Sequence, residues 1–123
     1  MVPAHIFAKR DPVLLVVEDE VLIRLSVCDF LRHAGFTVIE AGSAAEALAL
    51  LRVHGDIGLV VTDIHMSGAK EGLNLIREIH RLYPSIKVIS ASAYQNTEPV
   101  EASISKPYSL EALLALIESV LGL

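Results

Sequence analysis

The chain is poor in cysteine, in basic residues and in long apolar runs, and each shortage excludes a class of protein. Cys28 is the one cysteine, so an internal disulfide cannot form, and a reducing compartment such as the cytoplasm is expected. The net charge of −5 argues against binding to a nucleic-acid backbone, because such binding needs a basic face. No apolar run approaches the roughly 20 residues that span a bilayer, so we predict no membrane segment.

The chain has 123 residues, of which 53% are hydrophobic and 20% are charged. A domain of this length buries a core of ordinary size, and the high apolar content favours a sheet that is covered on both faces. Residues 1–12 lack the apolar core of a signal peptide. We therefore predict a short tail over residues 1–12 and one domain over residues 13–123.

Strand-like and helix-like patterns alternate along this domain. Strands are predicted over residues 13–17, 36–40, 59–62, 86–90 and 103–105, and helices over residues 20–34, 44–53, 73–82 and after Ser109. Such alternation with short connections predicts a parallel sheet with right-handed crossovers. Residues 93–105 are too few to hold a full helix and a strand, so we expect a loop or a single helical turn before the fifth strand.

Acidic residues stand where two of the predicted strands end. Glu18 and Asp19 follow the first strand, and Asp63 ends the third. The carboxyl ends of parallel strands meet at one edge of the sheet, where ligands bind. Carboxylates held so near one another repel each other unless a cation or a proton binds between them. Mg²⁺ prefers such oxygens, and a backbone carbonyl just after Asp63 could add a further ligand. The sequence therefore predicts a magnesium site at this edge.

A hydroxyl and an ammonium group are expected at the same edge. Ser92 follows the fourth predicted strand, and Lys106 follows the fifth. A carboxylate beside a divalent cation can attack phosphorus and form an acyl phosphate. Ser92 could then donate a hydrogen bond to the phosphoryl group, and Lys106 could neutralise its charge. Pro107 directly follows this lysine, and the bond before a proline is the kind of peptide bond that adopts the cis form.

Five motifs occur in the order of a known family. They are Val-Val-Glu-Asp-Glu (16–20), Val-Val-Thr-Asp-Ile-His-Met (60–66), Gly-Leu-Asn-Leu (72–75), Val-Ile-Ser-Ala-Ser-Ala (88–93) and Lys-Pro-Tyr (106–108). Each motif alone is a weak signal, but the ordered set is specific. Over residues 13–121 the chain resembles a response-regulator receiver domain of two-component signalling.

This resemblance implies a flavodoxin-like α/β fold, in which a doubly wound five-stranded parallel sheet has the order 2-1-3-4-5. The fourth helix of the family would here be reduced or absent. Asp63 would accept phosphate from a partner's phosphohistidine, and Ser92 and Lys106 would be the catalytic hydroxyl and lysine. Glu18, Asp19 and Asp63 would bind Mg²⁺, with the backbone carbonyl of His65 as a further ligand.

The resemblance also implies a mode of action. A histidine kinase or a histidine phosphotransfer protein of a phosphorelay would dock near the first helix and the site loops. The domain would catalyse its own phosphorylation and dephosphorylation without turning over an external substrate. Whether phosphorylation drives formation of a homodimer is left open. On the first helix, Val21, Leu25 and Cys28 form a second apolar stripe, which is either part of a wide core face or a docking surface.

The chain departs from the family at two positions. Ser67 replaces the usual proline, and Ser103 replaces the aromatic residue that normally moves on phosphorylation; Tyr94 or Tyr108 could take that role. The departures leave an alternative open, a pseudo-receiver that binds proteins without phosphorylation. A metal-dependent phosphohydrolase is a weaker hypothesis, because His65 stands where such enzymes need a second acid.

Overall fold

The computed structural model describes residues 10–64, 69–92 and 98–123, and these ranges contain five strands and four helices. The strands are β1 (Arg10–Val17), β2 (Phe36–Ala41), β3 (Ile57–Asp63), β4 (Lys87–Ser92) and β5 (Ala102–Ser105). The helices are α1 (Val21–His33), α2 (Ala44–Val53), α3 (Ala69–Leu82) and α4 (Leu110–Leu121). Within the described ranges, none of the helices has the length and apolarity to cross a bilayer.

All neighbouring strands pair in parallel, and their order is β2-β1-β3-β4-β5, as predicted. Alternate side chains of β1 enter two separate cores. Leu15 and Val17 pack in the core that includes residues of α2 and α3, whereas Leu14 and Val16 pack in the core that includes residues of α1 and α4. The sheet is therefore covered on both faces, which explains why its central strands are apolar throughout.

The connection between β4 and β5 contains no helix in its described part, residues 98–101. Arg77 of α3 forms a salt bridge of 2.6 Å with Glu98, which joins this connection to the neighbouring helix. The short spacing predicted a loop or a single helical turn here; the described part agrees with a loop, and residues 93–97 lie outside the described residues.

Two of the predicted elements start three or more residues earlier than expected. The helix predicted to start at residue 73 begins at Ala69, and the strand predicted to start at residue 13 begins at Arg10. Gly72 lies within α3, where the lack of a side chain allows close packing. A β-carbon there would overlap the backbone carbonyl of Ile64. At β1, the N–H of Arg10 donates to the carbonyl of Gly35 at 2.8 Å, which extends the strand.

Serine side chains cap the N-termini of two helices, α2 and α4. Ser43 Oγ accepts a hydrogen bond of 3.1 Å from the N–H of Glu46, and Ser109 Oγ accepts one of 3.0 Å from the N–H of Ala112. The Glu46 carboxylate returns to the N–H of Gly42, one residue before the position that a capping box uses.

Candidate functional site

Three acidic side chains meet at the carboxyl edge of the sheet. Glu18 directly follows β1, and Asp63 is the last residue of β3. One carboxylate oxygen from each of Glu18, Asp19 and Asp63 lies within 4.8 Å of the other two. Glu18 and Asp63 are buried, whereas Asp19 is exposed. The structure thus brings together the three acids that the sequence placed at strand ends.

Backbone pairing places Ser92 and Lys106 beside these acids. Asp63 is paired with Ala91, and the N–H of Ile64 donates to the Ala91 carbonyl at 3.1 Å. The N–H of Lys106 donates to the Ser92 carbonyl at 2.9 Å. Strand β4 was predicted to end at residue 90 but continues to Ser92, so this buried serine belongs to the sheet itself.

Lys106 forms an ion pair with the central acid. Its Nζ donates to Asp63 Oδ2 at 2.7 Å, and the Lys106–Pro107 peptide bond is cis. Burial lowers the pKa of the Lys106 amine, but the hydrogen bond and the negative charge of Asp63, together with Glu18, outweigh it and raise that pKa. The amine therefore stays protonated and presents a point charge to the carboxylates.

The pKa of the Glu18 carboxyl group is strongly perturbed. Burial, then a hydrogen bond with the Asp63 carboxyl group and the charge of Asp63, raise the pKa of Glu18 from 4.5 to about 7. Its Oε2 atom is buried and has no hydrogen-bond partner among the described residues. A buried polar atom without a partner is unfavourable, and a cation would supply the missing contact. The hard oxygen donors and this unsatisfied atom fit Mg²⁺.

Comparison with known proteins assigns the family. The model of the family described as "response regulator receiver domain" matches residues 14–118. The chain belongs to the response regulator receiver family. It is thus a receiver domain of the kind used in two-component systems, and members of the family bind Mg²⁺ at an acidic pocket and interact with histidine kinases or phosphotransfer proteins.

Several relatives share this domain. The sensor kinase CckA of Brucella abortus is 33% identical over 117 residues, which cover 88% of this chain and 12% of that protein. The transcriptional regulatory protein PdtaR of Mycobacterium tuberculosis is 31% identical over 116 residues, which cover 85% of this chain and 54% of that protein. The chain therefore spans about half or less of either relative. A solved response regulator of Thermotoga maritima is 31% identical with a TM-score of 0.78, covering 93% of this chain and 100% of that one.

Some predicted features of this receiver lie outside the described residues. These are the carbonyl ligand of His65, the replacement at Ser67 and the aromatic ring of Tyr94, which fall in residues 65–68 and 93–97. Ser103 is described and is exposed on β5. The usual aromatic residue is therefore replaced by a small polar side chain on the solvent-facing edge strand.

An apolar surface adjoins the receiver's acidic cluster. Four side chains in the first turns of α1, which we call the α1 patch, are exposed: Val21, Leu22, Ile23 and Leu25. Leu22 and Ile23 line one side of a groove of about 650 Å³, and Lys106, Pro107 and Tyr108 line the other. Of the predicted second stripe of α1, Val21 and Leu25 are exposed, whereas Cys28 is buried in the core. Burial, followed by the charge of Glu40, raises the pKa of the Cys28 thiol to about 12, so the thiol stays protonated.

Sequence reasoning missed one residue that contacts the site. Arg24 of α1 donates a hydrogen bond from Nη1 to the backbone carbonyl of Glu18 at 2.8 Å. Local spacing points to a different contact, because Glu20, which precedes the first residue of α1, lies four residues before Arg24, the spacing at which helical ion pairs form. A carbonyl outside the helix leaves no comparable pattern in the sequence.

Proposed function

We propose that this receiver accepts a phosphoryl group on Asp63 from a phosphohistidine of a partner protein, in a Mg²⁺-dependent reaction of a two-component or phosphorelay system. The observation that carries the proposal is the ion pair of 2.7 Å between Lys106 and Asp63, set within a cluster of three carboxylates. An acceptor carboxylate beside both a fixed cation and a metal-binding acid pair is the arrangement that phosphoryl transfer requires.

The reaction is a displacement at phosphorus. A carboxylate oxygen of Asp63 forms a bond to phosphorus while the bond between phosphorus and the imidazole nitrogen breaks, and the electron pair of that bond stays on the imidazole. The product is an acyl phosphate on Asp63. The Lys106 ammonium, already beside Asp63, would then contact a phosphoryl oxygen, and the Ser92 hydroxyl would donate a hydrogen bond to another.

The acidic residues would hold the metal ion that this transfer needs. Glu18, Asp19 and Asp63 offer carboxylate oxygens, and the carbonyl of His65 remains the predicted further ligand. When bound, Mg²⁺ would neutralise charge on the phosphoryl oxygens. Mg²⁺ binding would depend on the protonation state of Glu18, because a proton on its carboxyl group competes with the metal ion.

The α1 patch is the surface on which we place the phosphate donor. Leu22 is 79% exposed, and the groove beside it extends to Lys106, so a partner seated there would lie next to the acceptor. Apolar surface of this kind marks a protein interface. A helical bundle of a histidine kinase or a phosphotransfer protein would cover the patch and bring its phosphohistidine to Asp63.

The test is phosphorylation by a small phosphodonor such as acetyl phosphate. In the presence of Mg²⁺, the intact mass of the wild type should increase by one phosphoryl group, whereas Asp63→Asn or the addition of EDTA should abolish the increase. A folded wild-type protein that gains no phosphate would refute the proposal.

The exposed Ser103 motivates the alternative of phosphorylation-independent binding, which predicts that Asp63→Asn binds the partner as the wild type does under phosphorylating conditions.

A further inference from the structure

We propose that Arg24 is a positioning residue for the metal site: it fixes the backbone of Glu18 and thereby the direction in which the Glu18 carboxylate points. This inference rests on the proposed function of the site. It concerns a side chain that lies outside the acidic cluster.

Glu18 lies beyond the last residue of β1, yet hydrogen bonds hold its backbone on both sides. Its N–H donates to the carbonyl of Ala41 on β2 at 3.0 Å. Its carbonyl accepts the bond of 2.8 Å from Arg24 Nη1. A side chain is directed by the backbone that carries it, so these two bonds determine where the Glu18 carboxylate lies relative to Asp63.

Arg24 is itself held in one orientation. Its Nε donates to Glu40 Oε1 of β2 at 3.3 Å, and its side chain is only 18% exposed. Arg32, further along the same helix, binds the other carboxylate oxygen of Glu40 at 3.0 Å. A β-carbon at Gly42 would lie 3.0 Å from Arg24 Nη1, closer than ordinary packing allows. The absence of a side chain at Gly42 thus leaves room for the guanidinium group.

The positive charge of Arg24 allows a positioning role to be distinguished from a direct electrostatic effect on Mg²⁺ binding. Arg24 is a cation near a cation site, so by charge alone its removal should strengthen Mg²⁺ binding. If Arg24 acts by holding Glu18, its removal should weaken Mg²⁺ binding instead. The two explanations therefore predict changes of opposite direction in one measured constant.

The experiment compares Arg24→Gln with Arg32→Gln. Both variants lose one positive charge on α1 and one ion pair with Glu40, but Arg32 bonds the carbonyl of Val38 rather than that of Glu18. Mg²⁺ dissociation constants are measured by NMR titration of ¹⁵N-labelled protein. We expect the constant to rise about tenfold for Arg24→Gln, the size typical of lost support behind a metal ligand. We expect less than about a twofold change for Arg32→Gln, because its ion pair is exposed.

Two further readouts exclude a merely structural effect. With acetyl phosphate, the Mg²⁺ concentration needed for half-maximal phosphorylation should rise for Arg24→Gln, while the rate at saturating Mg²⁺ changes little. Arg24→Lys, which keeps the charge and one donor group, should recover part of the affinity. In EDTA, the Tm measured by thermal unfolding should fall by similar amounts in Arg24→Gln and Arg32→Gln.

An unchanged or lower Mg²⁺ dissociation constant for Arg24→Gln would overturn the inference. If that variant does not fold, Arg24→Lys replaces it: loss of the guanidinium's forked donors should raise the constant by a smaller factor, and an unchanged constant would overturn the inference. A wild type that binds Mg²⁺ but gains no phosphate would refute only the proposed function. A wild type that binds no Mg²⁺ would refute both.

Discussion

Glu18 is the residue whose titration should dominate the response of the metal-free domain to pH. Its pKa of about 7 in the folded protein lies above the ordinary value of 4.5, so between these values the folded state binds more protons than the unfolded state. The stabilisation is complete below the lower pKa and is lost as the pH rises through the higher one. In EDTA, Tm should therefore fall between about pH 5 and about pH 8, by on the order of 5 °C.

Glu18→Gln is the control for this pH effect. A neutral amide cannot ionise, so the fall in Tm over the same pH range should be smaller than in the wild type. Mg²⁺ binding requires the ionised carboxylate, so the affinity for Mg²⁺ should increase with pH in the wild type. Equal pH profiles for the two proteins in EDTA would show that Glu18 does not titrate in this range.

Lys106 should matter for the transfer step more than for folding. Lys106→Gln removes the ammonium group that contacts Asp63, and we expect phosphorylation by acetyl phosphate to slow by about 100-fold. Lys87→Gln is the matched control, because Lys87 Nζ donates to the carbonyl of Val120 at 2.9 Å, at the opposite end of β4. Equal phosphorylation rates for the two variants would remove Lys106 from the mechanism.

At the level of elements, the contact between α3 and the end of β3 should be intolerant of any side chain. Gly72→Ala would force its new methyl group against the Ile64 carbonyl, next to Asp63, and should destabilise the domain by about 1–3 kcal/mol. Gly55→Ala, at a position with no atom within 4 Å of the added carbon, should change stability by less than about 1 kcal/mol. Urea denaturation of both variants measures the difference, and equal midpoints would contradict the packing argument.

The same elements show what the sequence could and could not predict. The strands and the acids at their ends were predictable, because apolar runs and strand termini are local patterns; Asp63 and Glu18 follow directly from them. The start of α3 was not, because the apolar repeat that marks the helix begins at Leu73, directly after Gly72, and glycine is unfavourable inside a helix. Arg24 was missed for a similar reason, since the choice between Glu20 and the Glu18 carbonyl depends on where β2 places Glu40.

At the scale of the whole molecule, docking and chemistry should be separable. Leu22→Lys places a charge in the α1 patch, and we expect phosphotransfer from a partner's phosphohistidine to fall at least about tenfold, because a buried charge at an interface is unfavourable. Phosphorylation by acetyl phosphate should be unchanged. Val53→Lys, at a similarly exposed apolar position at the end of α2, is the control. Equal losses for both variants would place the donor elsewhere.

Polar contacts with α4 hold the end of the sheet opposite the acidic cluster. Arg10, the first residue of β1, forms a salt bridge of 2.8 Å with Glu118, and Lys87, the first residue of β4, bonds the carbonyl of Val120. With eight residues in β1, this rim lies roughly 25 Å from the opposite one. A biotin or surface linker attached at the exposed Leu123 would therefore leave the rim with the acidic cluster accessible to a partner, which makes an immobilised domain suitable for direct kinetic measurements of donor binding.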